Sequence, residues 1–191
     1  WSDGDAAIDG AISATGGAGG GSVETSALGQ LLVGSHGSVA LGEGGSWLID
    51  PRDVVLTSDG LASVPAGTVM PPAGSTPYSI SSSAVAAALD AGADVTITTH
   101  QPDSAMAGDI TVASDLAWSG KGNLRLEAER DIGIDGSIQS KGDGDFTALA
   151  ARDLTNGGAL QSDGTGDLVL QAGRDLHLEN AIRASGNGAV S

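Results

Sequence analysis

The 191 residues include no cysteine, which excludes disulfide scaffolds, thiolate metal sites and thiol nucleophiles together. Aromatic residues amount to only 3%, so a globular core built on large rings is excluded as well. Basic residues are also scarce: 8 Lys and Arg face 24 Asp and Glu, a formal net charge of −16. Such a chain lacks the clustered cations that neutralise phosphates, so neither nucleic acid nor an anionic membrane surface is expected as a partner. No apolar run approaches the roughly 18 to 20 residues of a membrane span, so no membrane insertion is expected. No basic and then apolar leader opens the chain. Yet 40% of the residues are apolar, too many for a disordered chain. Something folds, and 31 glycines must be accommodated in it.

The C-terminal half resolves the puzzle through a gapless repeat of 22 residues. Its units run Asn123 to Gly144, Asp145 to Gly166 and Asp167 to Gly188. Apolar residues recur at matching positions: Leu124, Phe146, Leu168 and Val190; Leu126, Ala148 and Leu170; Ile132, Leu154 and Leu176; Ile138, Leu160 and Ile182. Within each unit they alternate, which is strand periodicity with one face turned inward. Gly142, Gly164 and Gly186, then Gly144, Gly166 and Gly188, close the units as turns, and positive φ is the expected reason for glycine there. The stretch Gly108 to Gly122 fits the same register one unit earlier. A repeat this short suits one coil of a β-solenoid, in which coils stack by parallel pairing about 4.8 Å apart. A narrow interior takes Leu, Ile, Val and Ala and leaves little room for rings.

The N-terminal part repeats the theme less regularly. Ile8 to Gly16 matches Ile134 to Gly142, and strand candidates follow at Gly21 to Glu24, Gln30 to Val33, Ser38 to Leu41, Trp47 to Ile49 and Val54 to Thr57. Residues 62–80 hold Pro65, Pro71, Pro72 and Pro77 and read as an irregular excursion. Ser81-Ser82-Ser83 ahead of an Ala-rich run ending at Gly92 predicts a short helix near 82–91, with a hydroxyl N-cap and a C′ glycine. Asp94 to Thr98 resumes as a strand. If Asp94 takes the place of Asn123, that coil has 29 residues, with the excess looping around His100 to Ala107. The organisation expected is therefore coils over 1–60, excursion and helix over 61–93, and regular coils over 94–191, all one continuous solenoid.

Two ordered segments carry a resemblance. Gly20-Gly21-Ser22-Val23-Glu24-Thr25-Ser26, then Gly45-Ser46-Trp47-Leu48-Ile49-Asp50-Pro51, followed by a short helix leading into Asp94-Val95-Thr96-Ile97, resemble the filamentous haemagglutinin type of large exoprotein. These are adhesins exported by two-partner secretion in Gram-negative bacteria. The resemblance covers Ile8 to Gly188 and implies an all-β fold, a right-handed parallel β-helix, in a secreted, cell-surface, non-enzymatic protein. It further implies an outer-membrane transporter as partner during secretion, and a cell-surface glycan, exopolysaccharide or protein receptor as ligand. The family's secretion domain has no counterpart here, and the chain starts and stops within coils, so an internal segment of a longer fibre is expected.

Candidate sites are few. The column Asp109, Asp131, Asp153 and Asp175 stacks carboxylates, as glycoside hydrolases need. It is periodic, however, and Arg130, Arg152 and Arg174 precede three of its members. A corner ladder in which Asp satisfies turn amides and Arg offsets charge is the leading reading, with a Ca²⁺ site and catalysis as alternatives. His36, His100 and His177 share no register, and the glycine runs at 16–21 and 42–45 lack the Lys-Ser or Lys-Thr of a phosphate cradle. No catalytic, cofactor or metal residue is therefore assigned. Trp47 reads as core or coil cap. Trp118 stands where later coils have Ser140, Ser162 and Ala184, so it either fills a wider core or stands on the surface to stack on a sugar. Trp118 and Tyr78, the latter in the Pro-rich excursion, are the candidate ligand contacts. A carbohydrate-active β-helix enzyme and the stalk of a toxin-delivery filament are the competing functions.

Overall fold

A computed structural model describes residues 2–16, 19–27, 31–34, 36–51, 53–58, 78–99 and 108–191. They wind into a parallel β-solenoid of about 7 turns. The first coil supplies β1 (Ala6–Ile8) and β2 (Ala11–Ser13), followed by a small antiparallel hairpin of β3 (Thr15–Gly16) and β4 (Gly19–Gly20). The second supplies β5 (Ser22–Ser26), β6 (Leu31–Val33) and β7 (Ser38–Ala40). The third holds β8 (Ser46–Asp50), β9 (Val54–Thr57), β10 (Tyr78–Ser81) and α1 (Ser82–Asp90). Regular coils follow: β11 (Asp94–Thr98), β12 (Ile110–Val112) and β13 (Leu116–Trp118); β14 (Leu124–Ala128), β15 (Ile132–Ile134) and β16 (Ile138–Ser140). The last two are β17 (Phe146–Ala150), β18 (Asp153–Asn156) and β19 (Leu160–Ser162); then β20 (Leu168–Ala172), β21 (Asp175–Leu178) and β22 (Ile182–Ala184).

Stacking produces three faces. The first is β5-β8-β11-β14-β17-β20, and the second is β1-β6-β10-β9-β12-β15-β18-β21. The third consists of β2-β7 and β13-β16-β19-β22, with α1 packed between β7 and β13 where a strand would otherwise stand. The repeat register is the pairing register: Leu124 opposes Phe146, which opposes Leu168, which bridges to Val190. The 29-residue coil is present too, since Val95 opposes Leu124. Alternate residues point inward, so Leu124, Leu126, Ile132, Ile134, Ile138 and their equivalents form one continuous apolar column. Each fully buried Leu, Ile or Phe contributes roughly 1.5 to 3 kcal/mol, which is how a chain with so few rings acquires a core.

The repeated glycines are needed for a different reason from the one expected. None of the 142, 144, 164, 166, 186 and 188 series has a positive φ. Instead, a Cβ on Gly142, Gly164 or Gly186 would sit 2.3, 1.9 or 1.8 Å from the carbonyl oxygen of Gly120, Gly142 or Gly164. Corner backbones of successive coils touch, and only a residue without a side chain fits between them. Left-handed glycine does serve at Gly92 (φ 80), which ends α1. There the Gly92 N–H donates to Leu89 O and the Ala93 N–H to Ala88 O, the paired bonds of a Schellman motif. At the other end Ser81 occupies the N-cap, but its hydroxyl pairs with Ser83 Oγ at 2.7 Å and caps no backbone amide.

Residues 78–80 correct the expected excursion. They belong to β10, which inserts between β6 and β9: Tyr78 opposes Val54, and Ile80 opposes both Leu56 and Val33. The second face therefore has one more strand than the first between the second and fourth coils, and α1 fills the matching space on the third. Residues 59–77, which contain all four prolines of the excursion, and the loop at His100 to Ala107 lie outside the described residues.

Candidate functional site: the corner ladders

Asp109, Asp131 and Asp153 lie just ahead of successive strands of the second face, brought into line by the 22-residue period. Each carboxylate accepts from the next coil. Asp109 Oδ1 takes Arg130 Nε at 2.7 Å and the Asp131 N–H at 3.2 Å; Asp131 Oδ1 takes Arg152 Nε at 2.6 Å and the Asp153 N–H at 3.2 Å. Asp153 Oδ1 takes Arg174 Nε at 2.8 Å, and in all three pairs a second guanidinium nitrogen contacts Oδ2. The fork geometry of arginine suits this bidentate contact. Each guanidinium also lies beside the carboxylate that follows it, with Arg130 Nε 3.5 Å from Asp131 Oδ2. The Arg152 guanidinium, aided by the Asp153 amide and against partial burial, holds the Asp131 carboxyl below the ordinary carboxylate range. In turn Asp109, Asp131 and Asp153 push Arg130, Arg152 and Arg174 upward.

Sequence reading missed an upper member. Asp53 Oδ1 accepts the Asp109 N–H at 2.8 Å, 56 residues away, and extends the column across the irregular third coil. The signal was available in register form, because Val54 aligns with Ile110 one strand position later. A second column was missed as well. The Asp94, Asn123, Asp145 and Asp167 side chains accept the N–H groups of Asn123, Asp145, Asp167 and Ala189 at 2.7 to 3.0 Å. At the remaining corner Asp115 accepts the Ser137 N–H at 2.8 Å. One rule covers all of these: a carboxylate or amide oxygen at a corner satisfies the backbone amide at the same corner of the next coil. Much of the acidity of this chain is thus used to join coils.

This chemistry differs from what acid–base catalysis asks of a carboxylate. A general acid needs a raised pKa and an oxygen free to face substrate, whereas Asp131 is held ionised with both oxygens engaged. A shallow groove of about 280 Å³ runs along the second face past Asp109, Thr111, Asp131, Gly133, Asp153 and Thr155, and its three carboxylates are ladder members. Among the described residues no group of three or more His, Asp or Glu side chains is placed to hold a metal ion. His36 lies 3.5 Å from Asp9 and His177 lies on β21, so those two are not brought together, and His100 is outside the described residues.

The tryptophans lie in the core. Trp118 is 1% exposed, which removes it as a sugar platform. Its indole Nε1 donates to Gly122 O at 3.0 Å, as Ser140 Oγ donates to Gly144 O at 2.8 Å and Ser162 Oγ to Gly166 O at 2.6 Å. The ring and the hydroxyls perform one task, bonding the carbonyl four residues on, and the ring in addition fills the wider interior beside α1. Trp47 is fully buried and donates to Thr25 Oγ1 at 3.0 Å, so the two segments that carry the family resemblance pair as adjacent strands β5 and β8. Tyr78 begins β10, and its side chain lies outside the described residues. Among the described residues no helix is long and apolar enough to cross a membrane. No known protein family matches the chain, and no curated protein matches it.

Proposed function

We propose that this chain is a structural, adhesive segment of a secreted filamentous bacterial surface protein of the haemagglutinin type, non-enzymatic and without a resident cofactor. The observation that supports the reading best is the use to which the acidic residues are put. The carboxylates that would have to carry catalysis each accept an amide of the next coil and, in the second-face column, an arginine as well. Such a construction favours a stiff stack that transmits position along its axis and leaves recognition to whatever departs from the coil. The segment 59–77, which connects β9 to its neighbour β10, is the departure that suits a recognition loop, since functional variation on a solenoid collects in such segments. A cell-surface glycan or exopolysaccharide is the proposed ligand, with a protein receptor as the other class.

Binding to a glycan array and to cells, measured for the chain with and without residues 62–80, tests the proposal. Binding that disappears with the loop while the far-ultraviolet circular dichroism is unchanged supports it. Reproducible glycan cleavage abolished by one aspartate substitution overturns it in favour of a carbohydrate-active enzyme. A melting temperature that responds to a chelator overturns the absence of a resident ion such as Ca²⁺.

A further inference from the structure

The sequence contains two Asn-Gly pairs, Asn156-Gly157 and Asn187-Gly188. Asn-Gly is the dipeptide most prone to spontaneous side-chain deamidation, because glycine places no side chain in the way of its own nitrogen. The reaction needs three things: an asparagine side chain free to swing, a following amide nitrogen not committed to an acceptor, and water.

The structure separates the two pairs on all three. Asn156 is fully buried. Its Nδ2 donates to Gly158 O at 2.6 Å, its Oδ1 accepts the Asn180 N–H at 3.3 Å, and the Gly157 N–H donates to Ile134 O at 2.7 Å. Asn187 is exposed, and neither its side chain nor the Gly188 N–H makes a hydrogen bond among the described residues. Its exposure belongs to the corner and not to its place near the end of the chain. Asp143 and Thr165 hold the same position in earlier coils and are exposed although covered by a coil on either side.

We infer that Asn187 is a site of spontaneous deamidation, and that the fold protects Asn156. In the reaction the Gly188 nitrogen loses its proton and attacks Asn187 Cγ; the new C–N bond closes a five-membered succinimide as ammonia leaves with the proton. Water then adds to one of the two ring carbonyls, giving aspartate or isoaspartate. The aspartate form adds one negative charge at the position of Asp143, whose Oδ1 accepts the Thr165 N–H and hydroxyl one coil later. Deamidation therefore converts a neutral corner into one of the acidic type already used for stacking. The isoaspartate form lengthens the main chain at a corner where a Cβ on Gly188 would already meet Gly166 O at 2.0 Å, and it should loosen that corner.

The full chain, incubated in mildly alkaline buffer and sampled over time, is digested and each Asn-Gly peptide followed by mass spectrometry. Asn187 should convert more than about tenfold faster than Asn156, because Asn156 must wait for the fold to open. In denaturant the two rates should converge, and Asn187→Gln should abolish the fast conversion. Equal native rates, a faster Asn156, or a native Asn187 that stays unmodified while the denatured chain reacts at both sites would each overturn the assignment.

Discussion

Replacing Gly164 by alanine tests the reason these corners are glycine. The new Cβ would lie 1.9 Å from Gly142 O and 2.6 Å from Gly142 C, both backbone atoms of the preceding coil. An ordinary carbon–oxygen contact is about 3.3 Å, so the two corners must separate by about 1.4 Å. Overpacking of this kind costs about 1 to 3 kcal/mol. The displaced corner also strains the bond from the Asp163 N–H to Ser140 O, 2.8 Å in the native fold, which is worth about 1 kcal/mol. A loss of about 3 kcal/mol in a chain of this size lowers Tm by about 6 to 12 °C. Gly133 is the internal control, because it lies in β15 with nothing within 4 Å of its would-be Cβ. Gly133→Ala should leave stability unchanged or raise it by about 0.4 to 1 kcal/mol through the unfolded chain. Thermal melts followed by circular dichroism compare the two variants directly. Equal melting temperatures for Gly164→Ala and Gly133→Ala would refute close approach as the constraint.

Three further perturbations probe the core and the ladders. Leu168→Asp places a charge between Phe146 and Val190 at a site only 1% exposed; it should cost more than about 4 kcal/mol in a denaturant melt, and an unchanged midpoint would contradict the register. Trp118→Phe keeps an aromatic ring but removes the donor to Gly122 O; a buried acceptor left unpaired costs about 1 to 3 kcal/mol, so a variant as stable as the parent would deny the bond its role. Acid should also destabilise the stack. The Asp131 carboxyl is held below its ordinary range chiefly by Arg152, and Asp163 chiefly by Gln161 and then by Ser185 and Gln139. Depressed values mean that their stabilisation is complete above the unfolded carboxylate pKa of about 4 and is lost as pH falls through the lower folded values. Tm should therefore be flat from neutral pH down to about 5 and then fall, and Asp131→Asn should weaken the decline. A Tm constant through the acid range would contradict this.

The regular coils were legible because one apolar pattern recurs without gaps. Phe146 and Leu168 could be paired by counting alone, and so could Val95 and Leu124 across a longer coil. The helix was legible from Gly92 and the alanine run, although the Ser81 hydroxyl chose Ser83 over the backbone. Other features depend on which segments become neighbours in space, which local pattern does not encode. β10 pairs with strands on both sides out of sequence order. Trp118 is buried because α1 takes the place of a strand next to it, widening the interior at that level. Asp53 joins its column across an interruption of 56 residues. The glycine positions were legible and their cause was not, since contact between the backbones of successive coils emerges only when the coils are stacked.

In-register parallel stacking is the claim on which everything else depends, and the lack of native cysteine makes a direct measurement available. Thr147 and Val169 face outward from adjacent strands and oppose each other in β17 and β20. Stacked at about 4.8 Å, they lie within disulfide range, whereas Thr147 and Gln171, two residues further along, are about 8 Å apart and out of range. Oxidation of the Thr147→Cys/Val169→Cys variant should give a rapid intramolecular cross-link, and Thr147→Cys/Gln171→Cys should give almost none. The reverse preference, or equal cross-linking of both pairs, would contradict the 22-residue register.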